Sequence, residues 1–574
     1  MTSGAAKPVY PPAIDDGERQ RLVQVVKDWS LANGLTIRPP FAAVAATDVD
    51  LAGTLSMAAP VTLFPSPFPR SCFEEAQAAQ HAYNELYAKI SQDEEFLTRI
   101  VDEVAGGDEF TTQLWNVHLR VKKEGYTHKH SLGIFRSDYL VHQESSASRG
   151  EAHLQIKQVE FNTIAASFGG LSSQTSKLHQ FLAQTEYPLL RASQAHAATA
   201  TATATGYNLP PNTSGRDIAA GLLAAFDVYM RSEPRTLGHD RCILFLVQDG
   251  ERNVFDQRHV EYAVIEAAAA AAAAAATAAT AATGAVTPET PRVFRLPFHE
   301  ILRRTSIADT PRRQLLYHHP DATPRVFEVA VVYLRAGYGP ADYPDAAAWD
   351  ARYQIERSAA IKCPTVLTQV AGIKKVQQVL ATPAAATDAA LPAGGPSSEL
   401  ARFFSDHQQQ PQAILRRTFA NIYPLDTASA AGRQARAWAQ DPARCRQFVL
   451  KPQREGGGNN YYKDKIPAHL QTVPPEHWAS YILMELITPP PVANVILRNG
   501  QVEQGGVICE LGVYGTCIWE TADGGAGGGS SSSSSNNTII RNELAGYLLR
   551  TKGDQSEEGG VAAGFGSMDS CNLV

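Results

Sequence analysis

Cysteine is scarce in this sequence: seven in 574 residues, with no C-x-x-C pair. An odd, scattered set makes no disulfide framework, and it fits a reducing compartment. A basic surplus is missing too. Lys plus Arg number 51 against 58 Asp plus Glu, a net charge of −7, which argues against nucleic acid or an anionic membrane as the main partner. No run of 18 strongly apolar residues reads as a membrane span. The N-terminal MTSGAAKPVY has no hydrophobic core of a secretion signal, though a short organellar transit sequence stays open. There is no Gly-Lys dipeptide, hence no Walker A loop, and neither an H-E-x-x-H motif nor a kinase catalytic loop. What remains is a chain long enough for several domains with ample cores.

The most informative stretch is Phe448–Tyr462, FVLKPQREGGGNNYY. A short apolar run reads as a buried strand, closed by Lys451 and stopped by Pro452. Gly456, Gly457 and Gly458 let the backbone lie close to a ligand, and their N–H groups can converge on phosphate. Lys451 adds a cation and Glu455 a hard oxygen suited to Mg2+. The competing reading is an ordinary glycine-rich turn. Upstream, Val159–Ile164 alternates apolar with polar residues, so Glu160 and Asn162 point the same way, a plausible divalent-ion pair; a solvated strand face is the alternative. The SFGG turn that follows favours a ligand.

Other segments add candidates. Arg136, in the apolar context LGIFRSDYL, needs either a neighbouring acid or an anionic substrate. Lys374 and Lys375 open a helix, where a cation opposes the dipole unless an anion sits nearby; exposed lysines are the alternative. Glu510 lies between Cys509 and Leu511 and needs a partner. Asp16 to Asn33 reads as a helix ended by Gly34, and Ala76 to Val104 as one long helix. His118, His128 and His130 read as solvated histidines in a Lys-rich connection. Strands Cys242–Asp249 and Val329–Tyr338 end in polar residues, the pattern of a parallel α/β unit with a binding edge between about 240 and 375. Ala/Thr runs at 192–205 and 267–283, a third at 381–398, and a Gly/Ser run at 524–537 read as tolerated insertions. The second continues a helix that begins near Val254. Residues 559–563 read as a flexible lid.

These segments, taken together, resemble the eukaryotic-type glutathione synthetases of the ATP-grasp superfamily. The resemblance is carried by RSDY, VEFNTIAASFGG, ERNVFDQR, RAGY, ERSAAIKCP with AGIKKVQQ, FVLKPQREGGGNNYY, YILMELI, CELGVYG, and LLRTK with EEGGVAAG. It runs from about residue 12 to the C-terminus. It implies an α+β / α/β architecture: an ATP-grasp body over 1–239 and 376–574, an inserted parallel α/β substrate-binding domain over 240–375, and glycine-rich and alanine-rich lid loops. It further implies ligation of γ-glutamylcysteine to glycine with ATP as co-substrate and two Mg2+ per subunit, in a cytoplasmic homodimer.

Carried over by position, the resemblance implies that Glu160, Asn162 and Glu455 hold the metal ions. Lys374 and Lys451 would contact the phosphates or nucleotide, with Gly456, Gly457, Gly458, Asn459, Asn460 and Tyr462 closing over them. Met484, Glu485, Leu486 and Ile487 would line the adenine, Glu510 the ribose or base, and Lys552 and Glu558 the nucleotide edge. Arg136, Ile164, Ala165, Ala166, Ser167, Glu251, Arg252, Asn253, Gln257, Arg335, Ala336, Gly337 and Tyr338 would hold γ-glutamylcysteine. Arg550, Val561 and Ala562 would lie at the glycine end, with Arg550 stabilising the intermediate. Ala336 stands where the family places an acid and Leu486 where it places a lysine; both are read as presenting backbone. The alternatives are a ligase using β-alanine and a non-catalytic ATP-binding scaffold.

Overall fold

The computed structural model describes residues 10–39, 55–144, 153–185, 207–279, 289–321, 325–382, 398–521, 538–556, 561, 564 and 566–574. The low-complexity stretches 192–205 and 524–537 lie outside these residues, as does most of 381–398.

Three sheets organise the described chain. The largest has seven strands in the order Val492–Arg498, Val61–Thr62, Ser567–Asp569, Ile539–Gly553, Gln501–Glu520, His130–Glu144 and His153–Asn162. Its four long central and edge strands pair antiparallel. The helix Arg70–Ile90 packs across it, and Phe161 stacks on Tyr87 with ring centroids 3.8 Å apart. That stack anchors the strand on which Glu160 and Asn162 flank Phe161.

A second sheet has six strands. Arg292–Pro297, Asp240–Val247, Arg325–Leu334 and Ile361–Cys363 run parallel, and Leu315–His319 and Thr305–Ile307 add an antiparallel flank. Residues 241–247 of its Asp240–Val247 strand are all buried, as expected of a parallel strand covered on both faces. The third sheet is small and antiparallel: Ile422–Pro424, Ile482–Glu485, Phe448–Lys451, Tyr461–Tyr462.

Some expectations need correcting. The stretch from Ala76 to Val104 forms two helices, Arg70–Ile90 and Glu94–Val104. Asp93 breaks it, because its carboxylate accepts the Phe96 N–H and starts a new helix. His118, His128 and His130 are all buried, not solvated. His118 bonds the Tyr126 hydroxyl at 2.6 Å, and burial pulls all three below the usual imidazole range. The alanine run does extend its helix, to Val254–Ala279, since alanine is the best helix former. Over Val254–Thr277 that helix is long and apolar enough by length and composition to cross a membrane, contrary to the sequence reading. Its Val260 and Val264 are buried against the neighbouring helices.

Lys362, on the strand Ile361–Cys363, is fully buried and donates to the carbonyls of Glu356 and Ser358. Burial pulls its amine down to about 7, against the opposing pull of Glu356. The unfolded chain therefore binds this proton more tightly than the folded one. Stability from this group should be full above about pH 10.5, the free lysine value, and fall away as pH drops toward 7. Chemical denaturation from pH 7 to 10 should show wild-type stability rising with pH, with a flatter slope in Lys362→Met.

Candidate active site

The large sheet builds one wall of the site by register alone. Arg136 pairs with Asn162 and Asp138 with Glu160; on the other side Asp138 pairs with Gly512, and Glu510 with Arg550. Side chains of residues two apart on a strand share a face. Four adjacent strands thus place Glu160 and Asn162, Arg136 and Asp138, Glu510, then Arg550 and Lys552 side by side. The small sheet supplies the opposite wall with Val449, Lys451, Met484 and Glu485. Between them lies a cavity of ≈ 940 Å3, which the glycine loop borders through Gly456, Gly457 and Asn460.

Lys374 joins the walls. Its Nζ lies 3.1 Å from Glu160 Oε2 and 3.3 Å from Glu455 Oε1, and the side chain is 4% exposed. Burial alone would raise the Glu160 carboxyl. Lys374, followed by Lys451, Arg550 and Arg136, outweighs burial and holds it at about 2. Glu455 goes the other way: burial, together with the Glu160 charge, raises it despite Lys374. Lys451 Nζ also donates to the Val159 carbonyl at 2.9 Å. The loop root is fixed, since Gln453 accepts from the Lys375 N–H and donates to the Ser480 carbonyl, while Arg454 pairs with buried Asp108.

Arg136 has its acid partner on its own strand. Asp138 takes Nε at 2.6 Å and Nη2 at 2.8 Å, while Nη1 donates to the Ser167 carbonyl. Burial opposes this guanidinium's charge, and Asp138 more than offsets it. Arg550 pairs with both Asp138 and Glu510. Asn162 gives its amide nitrogen to Asp138 and to the Arg136 carbonyl, which leaves its amide oxygen for the cavity.

The family model described as "Eukaryotic glutathione synthase, ATP binding domain" matches residues 16–573. The chain is 36% identical to the glutathione synthetase large chain of Schizosaccharomyces pombe over 90% of this chain and 91% of that one. It is 34% identical to the glutathione synthetase of Rattus norvegicus and 32% to that of Homo sapiens, over 97% of each chain. The chain belongs to the eukaryotic glutathione synthase family. The solved structure of a glutathione synthetase-like effector from Globodera pallida shares the fold, with TM-score 0.64 at 18% identity, over 99% of this chain and 100% of that one.

Of the residues singled out from the glutathione synthase resemblance, 22 line the cavity: Arg136, Glu160, Asn162, Ile164 to Ser167, Tyr338, Lys451, Glu455 to Gly457, Asn460, Tyr462, Met484 to Ile487, Glu510, Arg550, Lys552 and Val561. Lys374 reaches the site through its two glutamates. Lys375, its neighbour, is equally buried but pairs with Glu103 at 2.7 Å. The alternative of two exposed lysines is thereby excluded. Glu485 turns its carboxylate to Asn421 and Tyr423.

A second group forms an adjoining cluster off the cavity wall. Arg335 donates to the Ala166 carbonyl and Ser167 Oγ. Glu251 accepts from Asn253 N and Gln257 Nε2. Arg252 donates to the Arg38 carbonyl, and Gly337 O accepts from Gln369. Ala336 is buried. Gly458 and Asn459 are off the wall too, with Asn459 donating back to the Gly456 carbonyl. Glu558 and Ala562 lie outside the described residues.

Asp138 and Asp256 went unremarked in the sequence. Asp138 could have been found, since it stands two residues from Arg136 on one strand. Asp256 accepts from the N–H groups of Phe168, Gly170 and Leu171, a long-range contact without local signal. Of the SFGG turn, Ser167 and Phe168 line the cavity and the two glycines do not. A Cβ on Gly170 would meet the Asp256 carbonyl at 2.6 Å, and one on Gly169 would meet Ile218 at 2.4 Å, so both glycines serve packing.

The two adjacent lysines should part company on mutation. Lys374→Met should weaken ATP binding by about 100-fold, since it removes a desolvated charge partner. Lys375→Met should leave ATP binding within about threefold but lower the melting temperature. Nucleotide titration and thermal melts of both variants check this.

Proposed function

We propose that this chain joins the carboxyl group of γ-glutamylcysteine to the amine of glycine at the expense of ATP, giving glutathione, ADP and phosphate. Membership of the glutathione synthase family supports the reaction, and one structural observation carries its assignment to this cavity: acids and cations from distant segments converge between the large and the small sheet around Lys374. That layout supports an ATP-grasp fold, with nucleotide held between the sheets and residues 240–375 as an inserted substrate unit. The glycine loop is proposed as a lid; the second lid expected at 559–563 falls mostly outside the described residues. The resemblance also supports a cytosolic homodimer.

The chemistry follows from the groups present. A carboxylate is a poor electrophile, so it must first be phosphorylated; a free amine then attacks the acyl phosphate and phosphate leaves. No protein nucleophile is needed. Positioning and charge stabilisation supply the rate. Lys374 and Lys451 are proposed to orient the phosphates, Arg136 to hold the dipeptide, and Arg550 to stabilise charge on the tetrahedral intermediate. Met484 to Ile487 would receive the adenine, with Glu510 and Lys552 at its edge. Loop closure would exclude water from the acyl phosphate.

The donor set fits magnesium. Glu160, Glu455 and the Asn162 amide oxygen are hard oxygen ligands, and Lys374 now neutralises the two carboxylates. When bound, the ions would neutralise charge on the transferred phosphoryl group. Nothing favours β-alanine, and intact cationic and acidic groups throughout the cavity speak against a silent scaffold.

Phosphate release should require ATP, γ-glutamylcysteine and glycine together, with glycine preferred over β-alanine. Glu455→Gln should lower kcat by about 100-fold or more while the melting temperature stays near wild type. Unchanged turnover in that variant would remove the metal role.

A further inference from the structure

One buried carboxylate touches a proposed dipeptide residue, a proposed metal ligand and the arginine proposed for the intermediate, yet lies off the cavity wall. Asp138 is 0% exposed and absent from the cavity wall. Four donor contacts reach its two oxygens: Arg136 Nε at 2.6 Å and Nη2 at 2.8 Å, Asn162 Nδ2 at 3.0 Å, and Arg550 Nη2 at 3.0 Å. Three of the four meet at Oδ2. A carboxylate so enclosed by its neighbours and away from the cavity wall acts through them.

Its effect on each neighbour is definite. Two of the three guanidinium nitrogens of Arg136 are committed to Asp138 and the third to the Ser167 carbonyl, which fixes the plane of the guanidinium. Taking the Asn162 amide nitrogen decides which end of that amide faces the cavity. Arg550 is drawn to a point between Asp138 and Glu510.

The neighbouring strand is built to admit this arrangement. Gly512 lies opposite Asp138. A Cβ there would meet Arg136 Cδ at 2.7 Å, Asp138 Oδ1 at 2.8 Å and Arg136 Nε at 3.1 Å. Since Gly512 needs no positive φ, the requirement for glycine here is space for the ion pair.

We propose that Asp138 is a positioning residue that sets Arg136, Arg550 and Asn162 in one register, tying the dipeptide site to the site of phosphoryl transfer, with Gly512 as the gap that allows it. The proposal rests on the ligase reading above. Its signature is a split in kinetic constants. The dipeptide and chemical steps depend on these three side chains, whereas adenine is proposed to bind at Met484 to Ile487 on the other sheet.

Asp138→Asn keeps the shape but replaces an acceptor oxygen with a donor, and Gly512→Ala displaces the pair without altering any charge. In steady-state assays that vary each substrate in turn, both variants should raise KM for γ-glutamylcysteine about tenfold and lower kcat about 30-fold or more. KM for ATP should stay within about threefold. If Asp138→Asn fails to fold, Gly512→Ala decides. A folded variant with kcat and dipeptide KM within about threefold of wild type would overturn the role. So would all KM values and the melting temperature moving together, which marks a merely structural group. Wild-type protein without dipeptide-dependent ADP formation would overturn the ligase reading, and this role with it; an active wild type beside unaffected variants would overturn this role alone.

Discussion

A single buried ammonium group held between two carboxylates sets the terms for the rest of the molecule. Lys374, Glu160 and Glu455 come from a helix, the edge of the large sheet and the loop of the small one. Taking three such charges out of water is costly, and removing one partner from a buried set costs about 3–5 kcal/mol. The contact therefore forms only where surrounding structure has already brought its parts together. The sheet register brings Glu160, the buried helix Lys374–Ala381 brings the lysine, and the anchored residues Gln453 and Arg454 bring Glu455. Each exists for packing reasons of its own, and the triad is where they meet.

Charge balance explains the sort of ligand such a centre suits. Arg136, Lys374, Lys451 and Arg550 stand among Asp138, Glu160, Glu455 and Glu510, four cations among four acids. A centre so nearly neutral is stable without ligand, but it has little positive charge to spare for a triphosphate. Admitting one calls for counter-charge to arrive with it, and the hard oxygens of the two glutamates and Asn162 suit a divalent ion. The raised Glu455 points the same way: burial and the Glu160 charge work against its ionised form, and a divalent ion would offset both.

Much of this was legible because strand alternation is a strict rule. VEFN placed Glu160 and Asn162 on one face before any fold was known, and the same rule applied to RSD would have exposed Asp138. Partners from distant segments left no such mark: Asp256 lies 86 residues from the Gly170 N–H it accepts, and Gly512 is one glycine among 42. Local polarity misled at His118, His128 and His130, where a Lys-rich stretch proved to lead into the core. The alternative of an exposed Lys375 fails for the same reason, since its side chain is buried against Glu103. In both cases composition described the neighbours in sequence, whereas burial depends on neighbours in space.

The plugging of the helix Gly169–Gln184 by Asp256 bears on how the dipeptide side can work. An open helix N-terminus attracts anions, and here the segment just before it lines the cavity. Asp256 already accepts the N–H groups of Phe168, Gly170 and Leu171, so those donors are spent. Side-chain cations are what remain for an anion on this side, and Arg136 on the cavity wall and Arg335 beside it are both pinned to residues 166–167 of that same segment. Closing off the backbone site thus hands recognition to guanidinium groups, whose planar forks discriminate carboxylate geometry. It also makes their orientation depend on the loop they hold, so the loop and its arginines form one unit.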